Sequence, residues 1–201
     1  MREKQLSVSD TEEKILTAAL KVINRETISG TRIHLIAKEA DVAQSNVHYY
    51  YKTKQDLMDS LQERVLEECY DIRRSNVGDE TLEGQLHTFF EQKKHLILKK
   101  RNYDFAELNF IIQSKLDVTM KNRFQKAYEE WRDDIREIII RFYPMISEAD
   151  KEQIPYVIVS MLEGASLQVL IDADDFNADM YFGHAEKMAL TYIYNAGKKE
   201  K

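Results

Sequence analysis

A scarcity of helix-breaking residues is the feature that most limits what this chain can fold into. Its 201 residues include only 6 Gly and 2 Pro, whereas an all-β chain needs a turn residue at every hairpin or corner. Apolar residues make up 43% of the chain and charged residues 32%, a composition that buries a core and remains soluble. We therefore expect an all-α protein with one ordinary domain or two small ones.

Nothing in the sequence predicts a membrane span, a disulfide or a bound metal. Cys69 is the one cysteine, and the first residues lack the apolar run of a secretory signal. The densest apolar stretch, 154–171, is interrupted by Glu163 and Gln168, so we interpret it as a buried helix and not a span. These features favour a cytoplasmic protein without a cofactor.

The spacing of acidic and histidine residues argues against calcium binding and zinc-dependent catalysis. The acidic run 172–179 lacks the glycine and glutamate of a calcium loop. His87 and His95 are too far apart for the i, i+4 metal pair of a zinc peptidase. HExxH, GxGxxG and GxSxG motifs are absent from the sequence. We therefore expect no metal site and no enzyme.

Apolar residues recur at helical spacing through most of the chain. The pattern predicts a first helix that begins near Asp10 and ends near Thr27, a short helix over 33–40 for which Thr31 is the candidate cap, and another that starts at Gln44. Longer helices are expected over about 54–75, 80–100, 103–115, 118–142, 149–172 and 178–196.

The second and third predicted helices have the spacing of a helix-turn-helix, whose second helix can enter the major groove of DNA. Ala37 is small where the helices approach, Val42 fills the turn, and Val47 anchors the second helix to the core. Asp41 stands where the backbone often needs a left-handed conformation, which Asp tolerates better than most residues. Tyr51 is expected to pack in the core, whereas Tyr50 is left open.

The charge balance also changes after the predicted helix-turn-helix, at about residue 54. Residues 1–54 contain 9 Lys and Arg against 7 Asp and Glu, a balance of +2, and the remainder contains 20 against 28, a balance of −8. Only the first part is therefore suited to a polyanion.

The stretch KILTAALKVINRETISGTRIHLIAKEADVAQSNVHYYYKTKQDLMDSL resembles the N-terminal DNA-binding domain of TetR-family (TetR/AcrR) transcriptional regulators. The stretch MLEGASLQVLIDADDFNADMYF resembles their last two helices more loosely. The resemblance implies an all-α fold with a three-helix helix-turn-helix domain over 1–54 and a helical effector-binding and dimerisation domain over 55–201. Asp41, His48 and Tyr51 depart from the usual Gly, Tyr and Phe, which leaves operator details open.

Polar residues at the start of the recognition helix are the candidates for reading DNA. Gln and Asn present a donor and an acceptor together to adenine, although such residues also form polar turns and helix caps. The candidates for base contacts are Gln44, Ser45 and Asn46, and those for phosphate contacts are Thr31, Arg32, His48, Tyr49, Tyr50, Lys52 and Lys54.

Aromatic residues in the middle of the chain are candidates for an effector pocket between helices of the 80–170 region, although ordinary core packing explains each one as well. The candidates are Phe89, Tyr103, Phe110, Tyr128, Trp131 and Met161. Glu107, Asn109, Glu163 and Gln168 are additional candidates for orienting a ligand, and the last two for facing a partner subunit. The expected effector is a flat, apolar small molecule, with a cationic one left open.

The last two predicted helices are apolar nearly all round, so both of their sides need cover. The resemblance implies that one side joins a second copy in a four-helix interface. The interface candidates are Ile158, Leu162, Ala165, Val169, Tyr181, Ala185, Met188 and Tyr192. A homodimer would place two recognition helices ~34–36 Å apart on a roughly palindromic site.

Together these features predict a ligand-responsive repressor that a small effector releases from a palindromic double-stranded DNA operator. Two alternatives stay open. One is an activator of the same fold, and the other is an enzyme or carrier built on a helical bundle.

Overall fold

A computed structural model describes residues 8–74 and 79–198, and these residues form helices joined by short connections, with no strand among them. The helices are α1 Val8–Gly30, α2 Ile33–Ala40, α3 Gln44–Tyr50, α4 Lys54–Arg74, α5 Leu82–Lys99, α6 Arg101–Gln113, α7 Val118–Phe142, α8 Glu148–Ile171 and α9 Ala178–Lys198. The expected all-α class is confirmed.

The first helix is interrupted where the sequence predicted its end. Thr27 has φ 60° and ψ 169°, which is not helical, and the Thr31 hydroxyl donates to the Thr27 carbonyl at 2.7 Å. Thr31 is fully buried, and the cap position of α2 falls on Arg32, which makes no capping bond with its side chain. The expected cap at Thr31 is therefore wrong, because its hydroxyl closes the preceding turn instead.

The chain forms two compact units. One consists of Met1–Glu68 and Asn102–Lys121, and the other of Cys69–Arg101 and Asn122–Lys201. The compact units thus divide α4 between residues 68 and 69. The predicted boundary between a DNA-binding domain and an effector-binding domain, after residue 54, lies at the start of α4. It stays a prediction about how the two functions divide the chain.

In the first unit, α1 packs on α2, and α2 packs on α3. Fully buried aliphatic side chains from all three helices and from α4 form its core; they include Ile15, Ile23, Ile36, Val47, Leu57 and Leu61. Hydrogen bonds join residues 102–121 to α1 and α4 of the same unit. Asn24 donates to the Asn102 carbonyl at 2.7 Å, and Gln62 donates to the Met120 carbonyl at 2.9 Å.

In the second unit, α5, α8 and α9 pack on one another around a large apolar core. Its members include Leu86, Phe90, Ile135, Leu162, Phe182 and Ile193, and Cys69 is also buried, with 2% of its surface exposed. By length and composition alone α8 is apolar enough to cross a membrane. That observation is weak evidence for a span, because a core helix of this kind passes the same test.

Candidate functional site

The turn between α2 and α3 fixes where the second of these helices begins. Asp41 has the left-handed conformation that the sequence predicted, with φ 54° and ψ 49°. The Val42 amide donates to the Ala37 carbonyl at 3.0 Å, which closes the end of α2. Ala37 and Val47 are buried, as expected, so α3 is held by its apolar side and its opposite side is left to solvent.

The first turn of α3 presents three polar side chains. Gln44, Ser45 and Asn46 are exposed, and none of their side chains makes a hydrogen bond with another described residue. The cap position is Ala43, without any side-chain capping bond, so the alternative interpretation of these residues as a helix cap is wrong. Their donors and acceptors are available to an external partner.

The three consecutive tyrosines have three different environments. Tyr49 is 68% exposed and its ring meets that of the half-buried Tyr50 edge-to-face, at 5.2 Å between centroids. Tyr51 is buried, as expected, and its hydroxyl donates to Glu12 Oε1 at 3.2 Å. Burial, with the Glu12 carboxylate nearby, holds the pKa of Tyr51 well above its ordinary value.

The phosphate candidates divide by exposure. His48, Tyr49, Lys52 and Arg32 are exposed, although the Arg32 guanidinium also donates to the Ser29 carbonyl at 2.7 Å. The Thr31 hydroxyl, by contrast, is buried and already bonded. A phosphate contact from that hydroxyl is excluded in this conformation.

Lys54 has a structural partner that the sequence did not reveal. Its ammonium donates to the Ile28 carbonyl at 2.6 Å and to the Thr31 carbonyl at 2.8 Å. Burial, followed by the positive charge of Arg32, lowers the pKa of Lys54. The side chain ties the start of α4 to the segment between α1 and α2, so the expected role as a phosphate contact is not supported.

The six effector candidates are divided between the two units. Tyr103 and Phe110 belong to the first unit, and the other four belong to the second. Tyr103 accepts hydrogen bonds from the Arg64 guanidinium at 3.2 Å, and Phe110 is a fully buried core residue. Phe89 is a buried core residue of the second unit. Phe89 and Phe110 therefore support the core-packing interpretation, whereas Tyr103 is half-buried.

Trp131 and Tyr128 form an aromatic group on α7. Their rings meet edge-to-face at 5.8 Å, and Phe124 continues the row at 6.2 Å from Tyr128. The Arg73 guanidinium lies over the Trp131 ring, 5.0 Å from its centroid. The Trp131 indole is 3% exposed, and its Nε1–H has no hydrogen-bond partner among the described residues.

Met161 lies on α8 and packs against the same apolar core as Tyr128. It lines a cavity of about 330 Å³ between α8 and α9, together with three of the interface candidates. The full lining is Gln153, Ile154, Val157, Ile158, Met161, Met188, Ala189 and Tyr192. A residue expected to bind an effector thus shares its surroundings with residues expected to bind a second copy.

Most of the expected interface residues face inward. Ile158, Leu162, Ala165, Val169 and Ala185 are buried in the core of their own unit, so they have no surface to offer a second copy. Tyr181 is half-buried and donates to the Met161 carbonyl at 2.7 Å. Met188 and Tyr192 remain exposed, at 61% and 58%.

The opposite faces of the same two helices are also apolar. We call them the exposed apolar face, which consists of Tyr156, Val157, Leu167, Leu170 and Ile171 on α8 and Met180, Met188 and Tyr192 on α9. Each of these side chains is at least 48% exposed. Contiguous exposed apolar patches of more than a few hundred Å² are typical of interaction surfaces.

Glu163, a candidate for orienting a ligand or facing a partner, forms an ion pair within its own unit. Its Oε1 accepts a hydrogen bond from the ammonium of Lys93 at 2.9 Å, and Lys93 is buried. Asn109 donates to the Phe105 carbonyl at 3.0 Å, and Glu107 is buried. Gln168 is exposed on α8. No cluster of three or more potential metal-ligating side chains occurs in the part of the chain that the structure describes.

Comparison with known proteins gives matches for the first unit and for the fold. The family model for bacterial regulatory proteins of the tetR family matches residues 15–61. The protein YttP of Bacillus subtilis, named as an HTH-type transcriptional regulator, is 33% identical over 79 residues. That match spans 38% of each chain.

Two further matches, one to a sequence and one to a solved structure, extend over most of the chain. The HTH-type nicotine-responsive transcriptional repressor HdnoR of Paenarthrobacter nicotinovorans is 21% identical over 179 residues, which are 85% of this chain and 89% of HdnoR. A crystal structure from Saccharomonospora viridis, solved in complex with choline, has a TM-score of 0.78 and 20% identity, covering 89% of this chain and 95% of that one. None of the three is described as an enzyme.

Proposed function

The chain belongs to the TetR family of bacterial regulatory proteins, and from this premise we propose that it is a homodimeric repressor that binds a DNA operator and leaves it when a small effector binds. One observation carries the proposal. Three polar side chains at the start of α3 are exposed and unbonded in the described structure, directly after a left-handed turn that fixes the start of the helix.

In this proposal α3 enters the major groove. Gln44 and Asn46 carry amide groups that can bond adenine through two atoms at once, and each such pair is worth about 1–3 kcal/mol of discrimination. Lys52, Arg32 and Tyr49 are also exposed, and in this proposal they contact phosphates, which sets the orientation of the helix without selecting a sequence. The weakly positive balance of residues 1–54 suits this arrangement.

A second copy of the chain is the proposed occupant of the exposed apolar face. The face draws on two neighbouring helices, and a two-fold axis would bring the same face of the second copy against it as a four-helix interface. This arrangement repeats α3 on the other half of a palindromic operator, one DNA turn of ~34–36 Å away. The alternative occupant, a membrane, has only the length and hydropathy of α8 in its favour.

The choice of a repressor and of a small effector draws on relatives that extend over both halves of the chain. HdnoR is a nicotine-responsive repressor, and the Saccharomonospora viridis structure contains choline. We propose by analogy that the second unit binds an organic small molecule and that binding reduces affinity for the operator. Its place of action is the cytoplasm, where the operator lies.

Selection of DNA from a random pool tests the proposal, using the wild-type protein beside Gln44→Ala, Asn46→Ala and the matched control Asn195→Ala, an exposed asparagine on α9. We expect a palindromic site from the wild type and the control. Each α3 variant should lose preference at particular positions of each half-site, by about 5- to 150-fold. Recovery of no preferred sequence by the wild type would refute DNA reading.

A further inference from the structure

We propose that the face of the Trp131 ring is the binding site for a cationic effector and that the guanidinium of Arg73 occupies this face when the effector is absent. The inference rests on the proposed ligand-responsive function and names the chemical class of its ligand. All the residues that carry it belong to the second unit.

The Arg73 side chain marks the ring as a place where a cation is stable. Its guanidinium carbon lies 5.0 Å from the Trp131 centroid, within the ~6 Å over which a positive charge is attracted to the negative face of an indole. Among the described residues no carboxylate forms an ion pair with Arg73. The aromatic face is therefore the attractive partner that the structure gives to this charge.

The surroundings of the ring restrict what replaces the guanidinium. Tyr128 and Phe124 extend the aromatic group along α7, which favours a cation with apolar substituents over a strongly hydrated one such as a primary ammonium. The buried indole Nε1–H has no acceptor within residues 8–74 and 79–198, and an unsatisfied buried donor is costly. An organic ammonium ion that also carries a hydrogen-bond acceptor would contact the aromatic rings with its cation and accept a hydrogen bond from the indole Nε1–H.

Ligand binding at this ring is then an exchange of one cation for another. Arg73 lies at the carboxyl end of α4 and is half-buried, so its long side chain can turn toward water and recover hydration there. The measured affinity reflects the difference between two cation–π contacts. Removing the internal cation should consequently tighten binding of the external one, whereas loss of an ordinary structural contact would weaken it.

A second cation–π pair in the same unit supplies the control. The Arg132 guanidinium lies 4.3 Å from the Tyr156 centroid, but Tyr156 is 49% exposed and belongs to the exposed apolar face. Arg132→Gln therefore removes a comparable contact without freeing the Trp131 ring. It separates an effect of general destabilisation from an effect of the proposed exchange.

The experiment uses the fluorescence of Trp131, the one tryptophan of the chain. The full-length protein is titrated with choline, with tetramethylammonium, and with 3,3-dimethylbutan-1-ol, which has the shape of choline without its charge. We expect a saturable change with choline, a weaker one with tetramethylammonium because it lacks an acceptor, and none with the alcohol. Arg73→Gln should bind choline ~3- to 30-fold more tightly, and Arg132→Gln should bind it as the wild type does.

Three results would overturn the inference: an equal response to the alcohol, equal affinities of Arg73→Gln and the wild type, or no saturable response to either cation in Arg73→Gln. Operator binding is measured on the same preparations by fluorescence anisotropy of labelled DNA. Intact operator binding with no cation response refutes the site at Trp131 and leaves the proposed function standing. A saturable cation response without any operator refutes the proposed function instead.

Discussion

Helices α3 and α8 carry the two surfaces that the proposed function needs, and they differ in how plainly their sequences identify those surfaces. On α3 the buried Val47 lies opposite exposed polar side chains, so a single apolar anchor settles which side is free. On α8 both sides are apolar, and the buried residues Leu162 and Ala165 alternate with the exposed Leu167 and Leu170. When one side of a helix is apolar and the other polar, the sequence shows which side binds a partner. When both sides are apolar, as in α8, the sequence does not show which side is buried in the protomer and which faces outward.

The largest expected effect tests which side of the last two helices faces outward. Ala165→Glu places an unpaired carboxylate in the core of the second unit, which should cost roughly 3–5 kcal/mol of folding stability. Met188→Glu changes a side chain that is 61% exposed. The protomer should therefore fold, while self-association weakens because a charge must be buried at the interface.

Urea unfolding and sedimentation equilibrium at several protein concentrations separate the two effects, since folding and association are linked in a dimer. Leu116→Glu is the control, because Leu116 is 81% exposed but lies outside the exposed apolar face. We expect Leu116→Glu to remain dimeric and Met188→Glu to be a folded monomer. A dimeric Met188→Glu protein, or a monomeric Leu116→Glu protein, would place the interface elsewhere.

An intermediate effect tests the two lysines that follow α3. Lys54→Met removes the donor to two backbone carbonyls and should lower the free energy of unfolding by about 1–3 kcal/mol. Lys52→Met should leave stability unchanged, because Lys52 is exposed. For DNA the order reverses: Lys52→Met should reduce the slope of log affinity against log salt by ~0.9 for each protomer's lost phosphate contact.

Urea titration and DNA binding across a series of KCl concentrations measure both properties on the same pair of variants. If Lys54→Met reduces the salt slope while its stability is unchanged, then Lys54 contacts phosphate and its bonds to the carbonyls are dispensable. The comparison would in that case place Lys54 with the DNA-contacting surface.

The smallest expected effect concerns the buried end of the tyrosine run. Tyr51→Phe removes the hydrogen bond to Glu12 and should cost ~0.5–1.5 kcal/mol near neutral pH. Because the folded protein holds the pKa of Tyr51 above its usual value of 10.0, the phenol of the unfolded chain ionises first as pH rises. The stability that this phenol contributes is complete below that value and is lost above it.

The difference in stability between wild type and Tyr51→Phe should therefore shrink as pH increases beyond 10.0, which denaturant titrations from neutral to alkaline pH can follow. Tyr49→Phe is the control, because Tyr49 is 68% exposed and its hydroxyl should contribute nothing at any pH. A constant difference for Tyr51→Phe would mean that burial does not hold the phenol protonated.

Local sequence patterns were sufficient for the fold class, for the helices and for the turn at Asp41. Each of these depends on residues close together in the chain, such as the spacing of Ile33, Ile36 and Ala40. The proposed DNA-reading residues come from the same kind of local pattern, since Gln44 to Asn46 follow directly after the turn.

Contacts between residues that are far apart in the chain could not be predicted from the sequence. The partner of Lys54 is a pair of carbonyls 23 and 26 residues earlier, and no spacing rule for side chains predicts such a bond. Tyr103 and Trp131 were both predicted to line the pocket, but residues 102–121 belong to the first unit, so the two aromatic residues fall in different units. The contact between Arg73 and the Trp131 ring could not be predicted from the sequence either, because arginine side chains are mostly exposed to solvent.

Burial of Cys69 makes the natural chain convenient for distance measurements. With 2% of its surface exposed and no other cysteine in the sequence, the thiol is shielded from water-soluble maleimides and methanethiosulfonates. A cysteine introduced at an exposed site on α3 would therefore be labelled selectively without any background substitution. Paired spin labels on the two copies of a dimer would then report the separation of their DNA-reading helices directly, with and without a candidate effector.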